Sequence, residues 1–303
     1  MASGSAHARA ALAGNPSDGF AGAVLACCIG ELRAWARAEH ATEARSDPPS
    51  ALVDAAIARF GRGPCAVRWG TDVPREVGLG GSSAIVTAAV RALCALHGHA
   101  LEAGELAEMV LAVEVEDLGI AAGPQDRYAQ AHGGLLLMDF AGPEPRVERL
   151  DPALLPPLYL AWRTDAAETS HAVHGGLRER AAEPAVRRAM ARLAGHARAA
   201  RDALLAGDRA GFAAALDGSF DERDALLELD PRHVGMVRAA REAGASANYA
   251  GSGGAIVGTL PPAGPEPLGQ ALRALGCKVI TPVLHWAPTR GAGKRPRLLG
   301  GPD

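Results

Sequence analysis

The chain has 303 residues, 48% of them hydrophobic and 21% charged, enough apolar material for two domains, or one large one, with a full core. A formal net charge of −3 gives no global attraction to nucleic acid or an anionic membrane, so any anion recognition has to be local. No apolar run approaches the length of a bilayer span, and MASGSAHARAAL at the start lacks a signal peptide's basic start and continuous apolar core; the expectation is a cytoplasmic protein of enzyme size.

In chain order, Ala6–Ala13 suits a first strand and Asn15–Phe20, reading NPSDGF, is dense turn chemistry. Ala21–Ile29 is an apolar run of strand length. Glu31–Glu39 alternates apolar and polar residues and is read as a strand, although its alanines also fit a helix. Pro48–Ser50 breaks the chain before a short amphipathic helix, Ala51–Phe60. Cys65–Trp69 is a strand that leads through Thr71–Val77 into the glycine loop GLGGSS. Ser83–His97 is a nearly all-apolar helix, which has to be buried on most sides, and Leu101–Leu118 is a second helix ending at Gly119. A loop and helix, GIAAGPQDRYAQAHGG, then leads to the strand Leu135–Asp139.

Five prolines in the fifteen residues Pro143–Pro157 mark the best domain boundary, dividing the chain into 1–150 and 151–303. Beyond it lie the strand Leu158–Trp162, helices Pro184–Ala206, Arg209–Leu229 and Pro231–Ala243, and a glycine turn feeding a strand over Tyr249–Val257. A helix Gln270–Leu275 and a strand Lys278–His285 close the fold, and the basic tail from about 288 is expected to be mobile. The five cysteines, Cys27, Cys28, Cys65, Cys94 and Cys277, are odd in number and lack CxxC or Cys/His ligand spacing. This argues against a disulfide frame and a zinc site, and they read as buried thiols.

The stretch GLGGSSAIV, Gly78–Val86, carries the sharpest chemical signal. A glycine loop that opens a helix converges unpaired N–H groups and the positive end of the helix dipole, which suits a phosphate. Taken alone it is as compatible with an ordinary turn, and no Lys follows at the Walker spacing.

Four segments together, ARAALAGNPSDGF, VPREVGLGGSSAIV, GIAAGPQDRYAQ and YAGSGGAIV, resemble the GHMP kinases, the superfamily of galactokinase, homoserine kinase and mevalonate kinase. Within it NPSD, PREVGLGGSSAIV, LGIAAGPQDRYAQAHGGL and SHAVHGGLRER are most similar to the glucuronokinases. The resemblance implies an α+β, two-domain fold with a ribosomal S5 domain 2-like N-terminal domain, a ferredoxin-like C-terminal domain and a cleft between them. It also implies an ATP- and Mg²⁺-dependent sugar 1-kinase, with D-glucuronate the first substrate expected. Galacturonate, a neutral hexose or a heptose phosphate is the alternative, and a non-catalytic sugar or nucleotide sensor is the reading from another class. No nucleic-acid or membrane partner is expected.

Residue by residue, the resemblance implies that Gly78, Leu79, Gly80, Gly81, Ser82 and Ser83 hold the ATP phosphates. Ser83 would also reach Mg²⁺, unless its hydroxyl caps the helix. A carboxylate from the preceding helix, Glu116 or else Glu114, would complete the metal site. Asp126 would be the base on the attacking hydroxyl and Arg9 its partner. Asn15, Asp18, Ser170, His174, Gly251, Ser252 and Gly253 would line the sugar pocket. Arg127, Arg178 or Arg180 would meet a uronate carboxylate, a planar guanidinium being its natural partner. Trp69 is read as a buried strand aromatic, and the adenine pocket has no sequence signal.

Overall fold

A computed structural model of the chain describes residues 1–121, 123–163, 165, 177 and 179–284. The tail from 288, predicted to be mobile, lies outside these residues.

The first sheet grows from two long antiparallel strands, β1 (Ala2–Ala13) and β2 (Ala23–His40). The sequence predicts two strands over 21–39, but they form one, because β1 is long enough to pair across both halves with a shift in register between His7 and Ala8. The alternating stretch Glu31–Glu39 is indeed strand. Its inward residues Leu32, Ala34, Ala36 and Ala38 are buried.

The other edge of β2 is shared. Its first residues pair with β5 (Leu135–Asp139), and its last with β4 (Cys65–Thr71). β3 (Arg45–Asp47) and β6 (Arg146–Leu150) lie at the outer edges. Neither carries a sequence signal, because β3 has only three residues and β6 is a polar edge strand set among prolines. The helices of this half are α1 (Ala51–Phe60), α2 (Gly81–Leu96), α3 (Ala103–Ala112) and α4 (Gln125–His132). α2 packs on β1, β2, α1, α3 and α4, as its all-apolar sequence requires.

The helix predicted over Leu101–Leu118 changes character at Ala112. Val113–Asp117 forms a π-helical turn, which rotates the acidic residues that follow. That rotation decides which carboxylate faces inward.

The second sheet has the order β10–β7–β9–β8, formed by β7 (Leu158–Trp162), β8 (Asn248–Tyr249), β9 (Ala255–Thr259) and β10 (Lys278–Ile280). Helices α6 (Arg209–Leu226), α7 (Pro231–Glu242) and α8 (Pro265–Ala274) accompany it, while α5 (Pro184–Ala206) packs on α6 and on β1 and β2 of the first sheet. One apolar cluster joins Leu12 and Leu25 of the first sheet, Leu160, Trp162 and Val257 of the second, and Phe212 and Leu216 of α6. The two sheets therefore share a core, and a backbone hydrogen bond links them where Ala11 N–H donates to the Ala250 carbonyl at 2.9 Å. All five cysteines are free and buried. Among the described residues no helix is long and apolar enough to cross a membrane.

Candidate active site

The glycine loop and α2 are set by backbone conformations that side chains resist. Gly78 (φ 73°) and Gly80 (φ 70°) are left-handed, and Gly80 is the N-cap residue of α2. A Cβ on Gly80 would lie 2.9 Å from Gln130 Nε2 and 3.3 Å from Asp126 Oδ2, so only glycine lets the loop come this close to α4. No side chain caps α2. Its first N–H groups therefore remain available at the positive end of the helix dipole.

Ser83 is accordingly not a cap. Its buried hydroxyl donates to Glu114 Oε2 at 3.0 Å. Glu114 is 1% exposed and also accepts from Arg127 Nε at 2.5 Å. Burial raises its pKa above the usual carboxylate range, against the pull of Arg127. Glu116, the preferred metal carboxylate in the sequence, is corrected here. Within the π-helical turn it faces outward and pairs with Arg59 at 2.9 Å, while Glu114, two residues earlier, faces Ser83. Ser83 and Glu114 present adjacent hard oxygens to the cleft, a donor set suited to Mg²⁺.

Beside them, Arg9 on β1 donates from Nε to Asp126 Oδ1 at 2.6 Å. Its Nη1 donates to the carbonyls of Gly78 at 2.7 Å and Ala250 at 2.5 Å. One buried guanidinium thus holds the α4 carboxylate, the glycine loop and the second glycine turn in register. Arg127 is corrected as a free cation for substrate, since its guanidinium is bonded to Glu114 and the Gly123 carbonyl.

Asp18, expected in the sugar pocket, stands behind it. Its two carboxylate oxygens accept from the Gln125 backbone N–H at 3.2 Å and Nε2 at 3.1 Å, and it is not among the residues lining the cleft. Gln125, which the sequence reading passed over, is the residue that reaches the cleft, with Oε1 buried and without a hydrogen-bond partner among the described residues. Burial raises the Asp18 pKa to about 6, with Asp126 adding to the rise and the Gln125 N–H, Arg9 and Arg127 opposing it.

Asn15 does line the cleft, where its Nδ2 donates to the carbonyls of Tyr249 at 3.2 Å and Gly251 at 3.1 Å. The Gly251–Gly254 turn abuts the loop, and a Cβ on Gly251 would sit 2.0 Å from the Gly78 carbonyl oxygen. Arg223 of α6 supports this turn through the carbonyls of Gly251 at 2.7 Å and Ser252 at 3.2 Å. It lines the same cleft, lies over Tyr249 and is 1% exposed. A lone arginine in a charged helical sequence gives no sign of this, because its burial depends on a turn nearly thirty residues further along the chain.

The cleft encloses about 480 Å³, and the apolar part of its wall includes Leu52, Trp69, Val73, Pro74, Ile85 and Ile120. Trp69, read as core, is half-buried in this wall and donates from Nε1 to the Pro48 carbonyl at 2.8 Å. Arg180 is at the surface, paired with Glu183. Ser170, His174 and Arg178 lie outside the described residues.

Residues 50–134, which contain the glycine loop and Asp126, match the profile of the GHMP kinases N terminal domain. Over 213 residues the chain is 34% identical to Glucuronokinase 1 of Arabidopsis thaliana, an alignment covering 65% of this chain and 58% of that protein. Over 312 residues it is 30% identical to Probable glucuronokinase 2 of the same plant, covering 86% of this chain and 84% of the relative. Streptococcus pneumoniae phosphomevalonate kinase, solved in complex with phosphomevalonate and AMPPNP, superposes with a TM-score of 0.81 at 16% identity, covering 94% of this chain and 100% of that one. A shared α+β architecture, the profile match over the loop and the near-full-length likeness to a plant relative lead to one conclusion: this chain belongs to the GHMP kinase family.

Proposed function

We propose that the chain is an ATP-dependent sugar 1-kinase whose substrate is a uronic acid, D-glucuronate foremost. The observation that carries this reading is the Arg9–Asp126 pair, 2.6 Å apart, set beside a left-handed glycine loop at the N-terminus of α2. The likeness to the two plant proteins named glucuronokinase supports the substrate class.

On this reading the triphosphate lies along Gly78–Ser83, with its nucleoside against the apolar wall at Trp69, Leu52 and Ile85. The anomeric hydroxyl oxygen bonds to the γ-phosphorus as the bond to the β,γ-bridging oxygen breaks. The hydroxyl proton passes to the Asp126 carboxylate, which the Arg9 guanidinium holds and aims. ADP leaves with the bridging oxygen's charge. Ser83 and Glu114 would hold Mg²⁺, which neutralises phosphate charge when bound. Asn15 and Gln125 take sugar hydroxyls, and Arg223 takes the uronate carboxylate. The same reading gives residues 1–150 the nucleotide and residues 151–303 the closing side of the cleft.

The test is ADP release with free uronates and neutral sugars. Glucuronate should turn over, and Asp126→Asn should lower kcat by about 100-fold or more while ATP still binds. Unchanged turnover in the Asn variant would remove Asp126 from the chemistry. A preference for a neutral hexose would keep the kinase and discard the carboxylate clamp.

A further inference from the structure

At the opposite end of α2 from the glycine loop, His40, Cys65 and His97 each bring one ligand atom to within 4.8 Å of the others. α2 has 16 residues, so this cluster lies about 24 Å along its axis from the loop. None of the three lines the cleft. Their spacing in the sequence follows no metal-binding pattern, because each comes from a different element.

His40 ends β2 and Cys65 begins β4, and the two are directly opposed in the antiparallel ladder. Directly opposed residues share one face of a sheet. His97, the C-cap residue of α2, arrives from above. Cys65 Sγ lies 3.5 Å from His97 Nε2. Tetrahedral zinc, with bonds of about 2.3 Å to sulfur and about 2.0 Å to nitrogen, separates such atoms by about 3.5 Å, so this pair is already at liganded spacing. The His40 ring meets the His97 ring edge-on with centroids 5.2 Å apart, and Phe60 packs on His97 at 5.5 Å.

Charge and chemistry agree with the spacing. A helix C-terminus favours a cation. One sulfur and two imidazoles, without a carboxylate, suit zinc or a neighbouring soft divalent metal rather than Mg²⁺ or Ca²⁺. His99 is not part of the set, being in contact with Arg62 at 3.4 Å.

We infer that His40, Cys65 and His97 bind a thiophilic divalent cation of the zinc class, with three protein ligands and the fourth position left to water or another donor. Bound there, the metal ties the ends of β2, β4 and α2 together, and the site stands or falls independently of the kinase reading.

The experiment uses the full chain, reduced and stripped with a chelator, and titrates Co²⁺ as the probe. One equivalent should give a thiolate-to-cobalt charge-transfer band and intense tetrahedral d–d bands, both removed by added Zn²⁺. Cys65→Ser should abolish the charge-transfer band, and His40→Asn and His97→Gln should weaken binding by about tenfold or more. Zn²⁺ should raise the Tm of the parent chain and leave that of the variants unchanged. Absence of the band, or a band that persists in Cys65→Ser, overturns the inference. His40 is exposed at the end of its strand, so His40→Asn should fold normally. Unchanged cobalt affinity in that variant overturns the inference as well.

Discussion

At the residue scale, Asp18 shows a carboxylate working through another side chain. It accepts two hydrogen bonds from Gln125, and burial raises its pKa to about 6. An acid whose pKa is raised on folding binds its proton more tightly in the folded state, so no penalty exists below the unfolded value of 3.8 and the full penalty is present above pH 6. That penalty is on the order of 3 kcal/mol. Denaturant melts of the parent and Asp18→Asn across this range should therefore move in favour of Asn by roughly that amount as pH rises through the window. Activity should move the opposite way, with kcat/KM for the sugar falling as pH drops through about 6 in the parent and losing that limb in the variant.

At the scale of elements, two features place the chemistry. The left-handed Gly80 joins the loop to α2 against Gln130 and Asp126. Gly80→Ala should cost about 1–3 kcal/mol of stability through backbone strain and contact, and should lower kcat while raising KM for ATP. The π-helical turn Val113–Asp117 sends Glu114 to Ser83 and Glu116 to Arg59. Glu114→Gln should raise the Mg²⁺ concentration needed for half-maximal rate by about tenfold or more. Glu116→Gln should leave it unchanged, losing only an exposed ion pair worth about 0–1 kcal/mol.

At the scale of the whole molecule, the shared cluster around Leu12, Trp162 and Phe212 ties both sheets into one cooperative body. Phe212 is fully buried in it. Phe212→Ala should cost about 3–5 kcal/mol, and tryptophan fluorescence and far-UV circular dichroism should still report one coincident transition. Two separate transitions would show that the sheets unfold independently.

By itself, the sequence determined the features that depend on local chemistry. Ala51–Phe60, Leu135–Asp139, Leu158–Trp162 and Pro184–Ala206 have the predicted bounds, because periodicity, glycine and proline act over a few residues. The glycine loop, Arg9 and Asp126 were legible as motif positions, and the fold brings them together. Tertiary structure alone decided what depends on which face of an element turns inward. The π-helical turn selects Glu114 over Glu116, Glu114 occupies Arg127, and Gln125 stands between Asp18 and the cleft. Arg223 reaches its turn, and His40, Cys65 and His97 meet, only because elements distant in sequence pack together. Spacing in a chain fixes neither burial nor facing; packing does.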